Sequence, residues 1–246
     1  MPRLSVLIPL YNEKSTLREL VRKVQEAPLD KEIVLVDDFS TDGSREIIRK
    51  EIAGSAPNIK VVYHEKNRGK GSAIRSGLKE ATGDLVIIQD ADLEYDPMDY
   101  SVMCRPFEKK EVMVVYGTRF GHFSKRHFLK QWFQNIFGAK NEIKRFHHFF
   151  GVHLLNLLAN TLYGAGITDE ATCYKAFRRE LLNSIPLRCT GFEFCPEVTA
   201  KVRKAGHRIV EVPISYHPRT EAAGKKLHWG HGFEAIWTLL KYRFVD

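Results

Sequence analysis

Long apolar runs are missing from this chain. No stretch of its 246 residues approaches the roughly 18 apolar positions that indicate a membrane span. The best candidate, 146–162, is interrupted by His153, Asn156 and Asn160. The apolar opening, SVLIPL, is only a few residues long and lacks a small-residue cleavage site, so it reads as a strand rather than a secretory signal. Cysteine is scarce too. Cys104, Cys173, Cys189 and Cys195 form no CxxC pair and show no zinc-type spacing to histidine. That points away from a disulfide framework or zinc module and predicts a reduced, cytoplasmic setting. Repeats, low-complexity tracts and long linkers are absent. What remains is an ordinary globular composition, 43% hydrophobic and 28% charged, long enough to bury a core without staples. The formal charge of +8 points to an anionic partner: a nucleotide, a phosphorylated substrate, a phospholipid surface or nucleic acid.

Short β-branched runs over 4–9, 33–36, 59–63, 85–88 and 112–116 alternate with helical patterns over 15–27, 41–52, 71–81 and 99–109. Such alternation predicts βαβ units and an α/β fold with a mostly parallel central sheet flanked by helices. Near-continuous apolar strands suit a sheet covered on both faces. Ser15 precedes Leu17, Leu20, Val21 and Val24, which share one helical face. Thr41, Asp42 and Ser44 offer N-caps, and Pro97 stands where a first helical turn begins. After Phe120 the texture changes. Residues 121–150 are rich in His, Phe, Lys and Arg, and 151–164 are apolar and helix-like; a helix over 197–205, a strand over 208–216 and a last helix over 228–242 follow. The expectation is one domain over 1–246, with a first half of 1–120 and a C-terminal elaboration over 121–246.

Ligands of open α/β sheets bind outside the carboxyl ends of the strands, and polar residues collect there. The five tips read PLYNE, DDFSTD, HEKNRGKG, DAD and GTR. Asp90 and Asp92 place two hard oxygen ligands on a short turn after a buried strand. Mg²⁺ and Mn²⁺ favour such oxygens and commonly share their shell with substrate phosphates. The other reading, carboxylates that only cap the next helix, does not explain four further polar tips on the same edge. HEKNRGKGSAIRSG lacks the Walker spacing, so a P-loop is rejected. Gly69 and Gly71 still permit close backbone approach before a helix N-terminus, a natural anion site with Arg68, Lys70 and Arg75 adding charge. The alternative is a solvated basic loop.

LIPLYNE, VDDFSTDGS, NRGKGSAIRSG, DADLEYDP, GTRF, TDEATCYKAFRRE and EVPISYHPRTEAAGKK occur in that order. Together they resemble family 2 glycosyltransferases of the GT-A fold, in the branch of dolichyl- and polyprenyl-phosphate sugar synthases. The resemblance spans nearly the whole chain and is poorest over 121–150. It implies a Rossmann-like GT-A sheet with acceptor-side helices in the second half. Pro9, Tyr11 and Glu13 would hold the nucleotide, with Val36 and Asp38 near its base and ribose. Asp90, Ala91, Asp92 and Glu94 would line the metal and diphosphate, with Mg²⁺ or Mn²⁺ as cofactor. Arg119, Arg219 and Lys225 or Lys226 would bind phosphates, and Asp169 falls where the family places an active-site acid. Cys173-Tyr174 replaces the family's Gly-Phe, and Lys225-Lys226 its Ser-Lys.

The implied donor is a GDP- or UDP-linked sugar. A hydroxyl acceptor, on a glycan or a soluble molecule, must lose a proton, so Asp169 would act as general base. A phosphate monoester has a second pKa near ~6 and needs cationic clamps instead. Arg119, Arg219, Lys225 and Lys226 are such clamps, which favours polyprenyl or dolichyl phosphate. Asp169 would then orient a clamp or the sugar. Phe128, Leu129, Trp132, Phe133, Ile136 and Phe137 recur at helical spacing among lysines and arginines, the pattern of an amphipathic helix on the cytoplasmic membrane face or of one packed on the sheet or on a second subunit. A sugar nucleotidyltransferase is disfavoured because LIPLYNE stands where a glycine-rich loop should follow the first strand. A nucleic-acid module is disfavoured because no RNA-binding motif is present and the acids at the tips repel phosphate.

Overall fold

The computed structural model describes residues 3–120, 142–219 and 229–245, with the backbone alone at 142–150 and 229. Seven strands form one sheet: β1 (Leu4–Leu10), β2 (Lys31–Asp37), β3 (Ile59–Tyr63), β4 (Leu85–Ile88), β5 (Val114–Thr118), β6 (Lys175–Arg178) and β7 (Ile209–Pro213). Their order is β3-β2-β1-β4-β6-β5-β7. Strands β1 to β4 pair in parallel, as do β5 and β7; β6 runs antiparallel between β4 and β5. This is the mostly parallel sheet expected, with one strand that the apolar pattern did not reveal.

Alternation along each strand feeds two core layers. Leu4, Val6, Ile8 and Leu10 of β1 pack with Leu17, Leu20, Val21 and Val24 of α1 (Leu17–Glu26) on one face. On the other, Leu7, Val34 and Val86 meet α3 (Lys70–Glu80). The same layer takes α5 (Glu142–Tyr163), α7 (Phe194–Lys204) and α8 (Trp229–Phe244) through Leu155, Val198 and Leu239.

Five elements differ from expectation. The helix expected over 41–52 is a short α2 (Ser44–Ile47) continuing into a π turn at Ile48–Ile52. Its N-cap is Gly43, with no side-chain cap; Asp42, just before it, accepts from the Ser44 N–H at 2.9 Å. The helix expected over 99–109 is a 3₁₀ turn Pro97–Asp99, then α4 (Tyr100–Cys104), then a 3₁₀ turn Arg105–Glu108. Pro106 lacks the N–H that an α-helix would need there. The fifth strand lies at Val114–Thr118, two residues later than its apolar run. Finally β6 and α6 (Arg179–Ser184) were not foreseen.

Candidate active site at the carboxyl edge

The tips of β1 and β2 are stitched side by side. The Asp38 N–H donates to the Leu10 carbonyl at 2.8 Å, the Asn12 N–H to Ser40 Oγ at 2.9 Å and the Thr41 N–H to Asn12 Oδ1 at 2.7 Å. Tyr11 and Phe39 stay exposed beside them. Pro9 lies in register with Val36. The Val36 side chain packs into the core with Leu7 and Val34, so a ligand at this edge would meet its backbone. Asp38 is buried, and its oxygens accept from the Arg68 N–H (2.8 Å) and Gly69 N–H (2.7 Å), with His64 Nδ1 at 2.7 Å. It therefore organises the 64–69 loop. Three of the four non-glycine residues with positive φ among the described residues sit on this edge: Asn12 (52°), Phe39 (68°) and Leu93 (61°). Such conformations cost about 1–3 kcal/mol each and cluster at functional sites.

Beyond β4, the acidic turn is held from four sides. The Gln89 amide donates to the Asp90 and Tyr95 carbonyls and accepts from the Tyr100 hydroxyl at 2.9 Å. The Thr16 hydroxyl donates to the Ala91 carbonyl at 2.7 Å, and Arg219 Nε to the Asp92 carbonyl at 2.6 Å. Asp90 ion-pairs with Lys70. Burial alone would lower the Lys70 pKa, but the Asp90 charge outweighs it and raises it well above the ordinary value. Burial first, and the charge of Asp90 second, push the Asp92 carboxyl well above the usual carboxylate range. Two partly buried carboxylates that repel one another are a donor set suited to a divalent cation. Among the described residues no three His, Cys, Asp or Glu side chains gather as a full metal shell. An ion held by Asp90 and Asp92 would need further oxygens from outside these two side chains. Glu94 does not join the pair. Its Oε2 accepts from the Tyr216 hydroxyl at 2.9 Å and its Oε1 from the Arg219 N–H at 2.8 Å. Both oxygens anchor the chain after β7. Arg219 in turn reaches Glu13 Oε2 at 2.9 Å, bracing the β1 tip against the acidic turn.

Across β6, Arg119 and Asp169 meet. Nε and Nη2 of Arg119 donate to Oδ2 and Oδ1 of Asp169, both at 2.7 Å, and the Arg119 N–H reaches Oδ2 at 3.1 Å. The guanidinium also lies 5.0 Å from the Tyr216 ring centroid. Burial opposes the charge on Arg119, yet Asp169 raises its pKa well above the ordinary value. Lys225 and Lys226 lie outside the described residues, as do 121–141 of the segment read as amphipathic.

The start of α3 is not the open anion site that the glycines suggested. The Gly71 and Ser72 N–H groups donate to the Gly191 and Thr190 carbonyls at 3.2 and 3.1 Å. A Cβ on Gly69 would lie 2.5 Å from the Thr190 carbonyl oxygen, and one on Gly71 2.5 Å from that of Cys189. The glycines admit this neighbouring strap, not a phosphate. Lys70 points to Asp90, and its Nζ sits 5.6 Å from the Phe192 ring centroid. Beyond Phe192 a cavity of about 600 Å³ opens against α8, lined by Arg188, His231, Trp237 and Lys241 among others.

Several residues of this edge escaped the sequence reading. Thr16, Gln89 and Phe192 are single polar or aromatic residues with no motif of their own. Glu211 stands inside the EVPIS motif, which was a signal without a role attached. Its carboxylate accepts from the Thr168 and Asp169 N–H groups at 2.9 and 3.1 Å.

Residues 5–185 match the family described as glycosyl transferase family 2. The chain is 26% identical over 98% of its length to a dodecaprenyl-phosphate galacturonate synthase of Rhizobium johnstonii, covering 66% of that protein. It is 29% identical over 91% of its length to a dolichol-phosphate mannosyltransferase of Pyrococcus furiosus, covering 59% of it. The chain thus spans less than two thirds of either relative. Its fold superposes with a TM-score of 0.71 on glucosyl-3-phosphoglycerate synthase of Mycobacterium tuberculosis, solved with Mn²⁺, UDP and phosphoglyceric acid, at 20% identity over 100% of this chain and 80% of that one.

Proposed function

Since the chain belongs to glycosyl transferase family 2, we propose that it is a hexosyltransferase that moves a sugar from a GDP- or UDP-linked donor to a polyprenyl or dolichyl phosphate at a membrane surface. The observation that carries the acceptor class is the Arg119–Asp169 pair. Both carboxylate oxygens of Asp169 are committed to Arg119, so the acid acts as an orienting group rather than as a base. An acceptor that arrives as a phosphate dianion needs no base. The names of the two relatives, a dodecaprenyl-phosphate and a dolichol-phosphate enzyme, support the same class.

In this reading residues 1–120 bind the donor and 121–246 face the acceptor, with Arg119 at the boundary turned to the acceptor side. Pro9, Tyr11, Glu13, Val36 and Asp38 form the nucleotide side, with Glu13 held in place by Arg219. Asp90, Ala91 and Asp92 form the diphosphate side with Lys70, which compensates Asp90 where the donor charge arrives. Asp90 and Asp92 would hold Mg²⁺ or Mn²⁺, which supplies positive charge for the diphosphate leaving group. Arg119 meets the acceptor phosphate from a guanidinium plane fixed by Asp169. The arrangement gains most of its rate from orientation and preorganised charge.

Membrane contact has a surface to use. Along α8, Phe233, Trp237 and Phe244 are 72%, 66% and 85% exposed, with Lys241 and Arg243 in its last turn. Aromatic rings beside cations suit an anionic lipid interface. No helix among the described residues is long and apolar enough to cross a membrane.

The test is sugar transfer from a panel of nucleotide sugars to polyprenyl phosphate in vesicles, with Mg²⁺, Mn²⁺ or chelator, beside Asp92→Ala. Metal-dependent lipid product, lost in the variant, is the expected result. Donor hydrolysis without lipid product would move the acceptor to a hydroxyl and sink the lipid reading.

A further inference from the structure

The turn 167–170 carries Asp169, and every one of its N–H groups is taken by a side chain. The Ile167 N–H donates to Asn160 Oδ1 at 2.9 Å and the Glu170 N–H to Asn156 Oδ1 at 2.7 Å. The N–H groups of Thr168 and Asp169, between them, go to Glu211. The two asparagines also donate, Asn156 Nδ2 to the Thr168 carbonyl and Asn160 Nδ2 to the Ile167 carbonyl. They lie one turn apart on α5, on the face that meets this turn. Thr168 Oγ1 completes the arrangement, 2.9 Å from Thr118 Oγ1 at the end of β5 and 3.0 Å from Glu211 Oε2.

A loop with no ladder partners of its own would ordinarily leave its N–H groups to water. Here two helix residues and one strand residue hold it from opposite sides. Asn156 is buried, so its amide has no competing water. Asparagine in the middle of an apolar helix is unfavourable for the helix itself. Neither residue contributes to the core by apolar contact as Leu155 and Ala159 do. Their bonds are all spent on the turn that aims Asp169.

We propose that Asn156, Asn160 and Glu211 are positioning residues for the Arg119–Asp169 pair. Resting on the function proposed above, this makes α5 the element whose placement sets the direction of the Arg119 guanidinium. The residues act through Arg119 and do not touch substrate. They should therefore govern use of the acceptor and leave the donor site alone.

A double-mutant cycle tests this, using the full chain and Arg119→Lys as the second change, since lysine cannot reproduce the bidentate pair. Asn156→Leu and Glu211→Leu are each expected to lower kcat/KM for the acceptor about tenfold, with donor KM unchanged. In the Arg119→Lys background the same changes should cost less than about twofold, because the group they aim is already gone. Glu211→Gln keeps an acceptor oxygen and should stay within about threefold of wild type. Effects that multiply in the double variants, or a donor KM that rises in step, would overturn the proposal in favour of general destabilisation. If Asn156→Leu loses its cooperative melt, Asn160→Asp takes its place, keeping the acceptor for the Ile167 N–H and losing the donor. Wild-type transfer to polyprenyl phosphate is read separately. Its absence sinks the lipid reading, and the cycle is then decided on the transfer or donor hydrolysis that the wild type performs.

Discussion

At the end of β4, Asp90 and Asp92 are partly buried and close enough to raise the pKa of Asp92, and one lysine pairs with Asp90. Across β6, Asp169 is fully buried, and each of its oxygens meets a guanidinium nitrogen at 2.7 Å. In the proposed reaction the first corner, with two carboxylates and one paired lysine, would take a cation with its phosphates. The second is already paired and would act by geometry. Carboxylates on one sheet edge thus do different work because of what surrounds them, and the residue type alone does not tell which.

The comparison can be broken most severely at the first corner. Asp92→Ala should lower metal-dependent transfer by about a hundredfold or more, as expected when a group facing developing charge is lost; initial rates at saturating metal check it. The second corner should respond less. Asp169→Asn keeps one acceptor oxygen, and a loss of about ten- to fiftyfold in kcat is expected for an orienting residue. A loss near ten-thousandfold would mean that Asp169 is a base after all. A milder break lies under the first corner. Gly71→Ala sets a Cβ 2.5 Å from the Cys189 carbonyl oxygen, and overpacking of this kind costs about 1–3 kcal/mol, visible as a lower melting temperature.

The smallest effect is a pH slope beneath the second corner. Glu170 is buried with neither oxygen in a hydrogen bond; the nearby Thr199 hydroxyl is engaged with Tyr116 at 2.8 Å. Burial pushes its pKa up from 4.5 to about 8. The folded chain therefore keeps a proton that the unfolded chain releases, and the linked stability falls as pH rises from about 4.5 to about 8. Glu170→Gln should flatten that slope in melts at about pH 5 and about pH 8.5, leaving the variant ahead at the higher value. A parallel pair of curves would refute it.

The first four strands and their acidic turn were legible because apolar runs, turn residues and carboxylates are all local signals. The second half is harder to read because its signals are long-range. β6 reads KAFR, and Lys175 looks like a surface residue. It is fully buried, with its ammonium 3.5 Å from the centroid of the Tyr116 ring. Arg178 is spent on the Val112 and Phe107 carbonyls at 2.9 and 2.8 Å. Asn156 and Asn160 registered as interruptions of an apolar helix, and their partners on 167–170 could not be inferred from spacing. The glycines at 69 and 71 showed that something approaches closely. The sequence could not say that it is the 189–191 backbone. Arg119 and Asp169 were each singled out, and orienting a clamp was one of the roles read for Asp169; that the clamp it holds is Arg119 was not visible.

The antiparallel strand has a consequence for how the chain is made. β4 and β5 both emerge from synthesis before β6, with all of α5 still to come. Until residues 175–178 arrive, β4 is the bare rim of a four-strand sheet and β5 has no sheet partner, since both of its neighbours, β6 and β7, come later in the chain. Bare edges are templates for mispairing with another chain, and distant pairings close slowly. β6 joins β5 to the first four strands and β7 then adds at the rim, so the interval before residues 175–178 leaves the newborn chain exposed to aggregation.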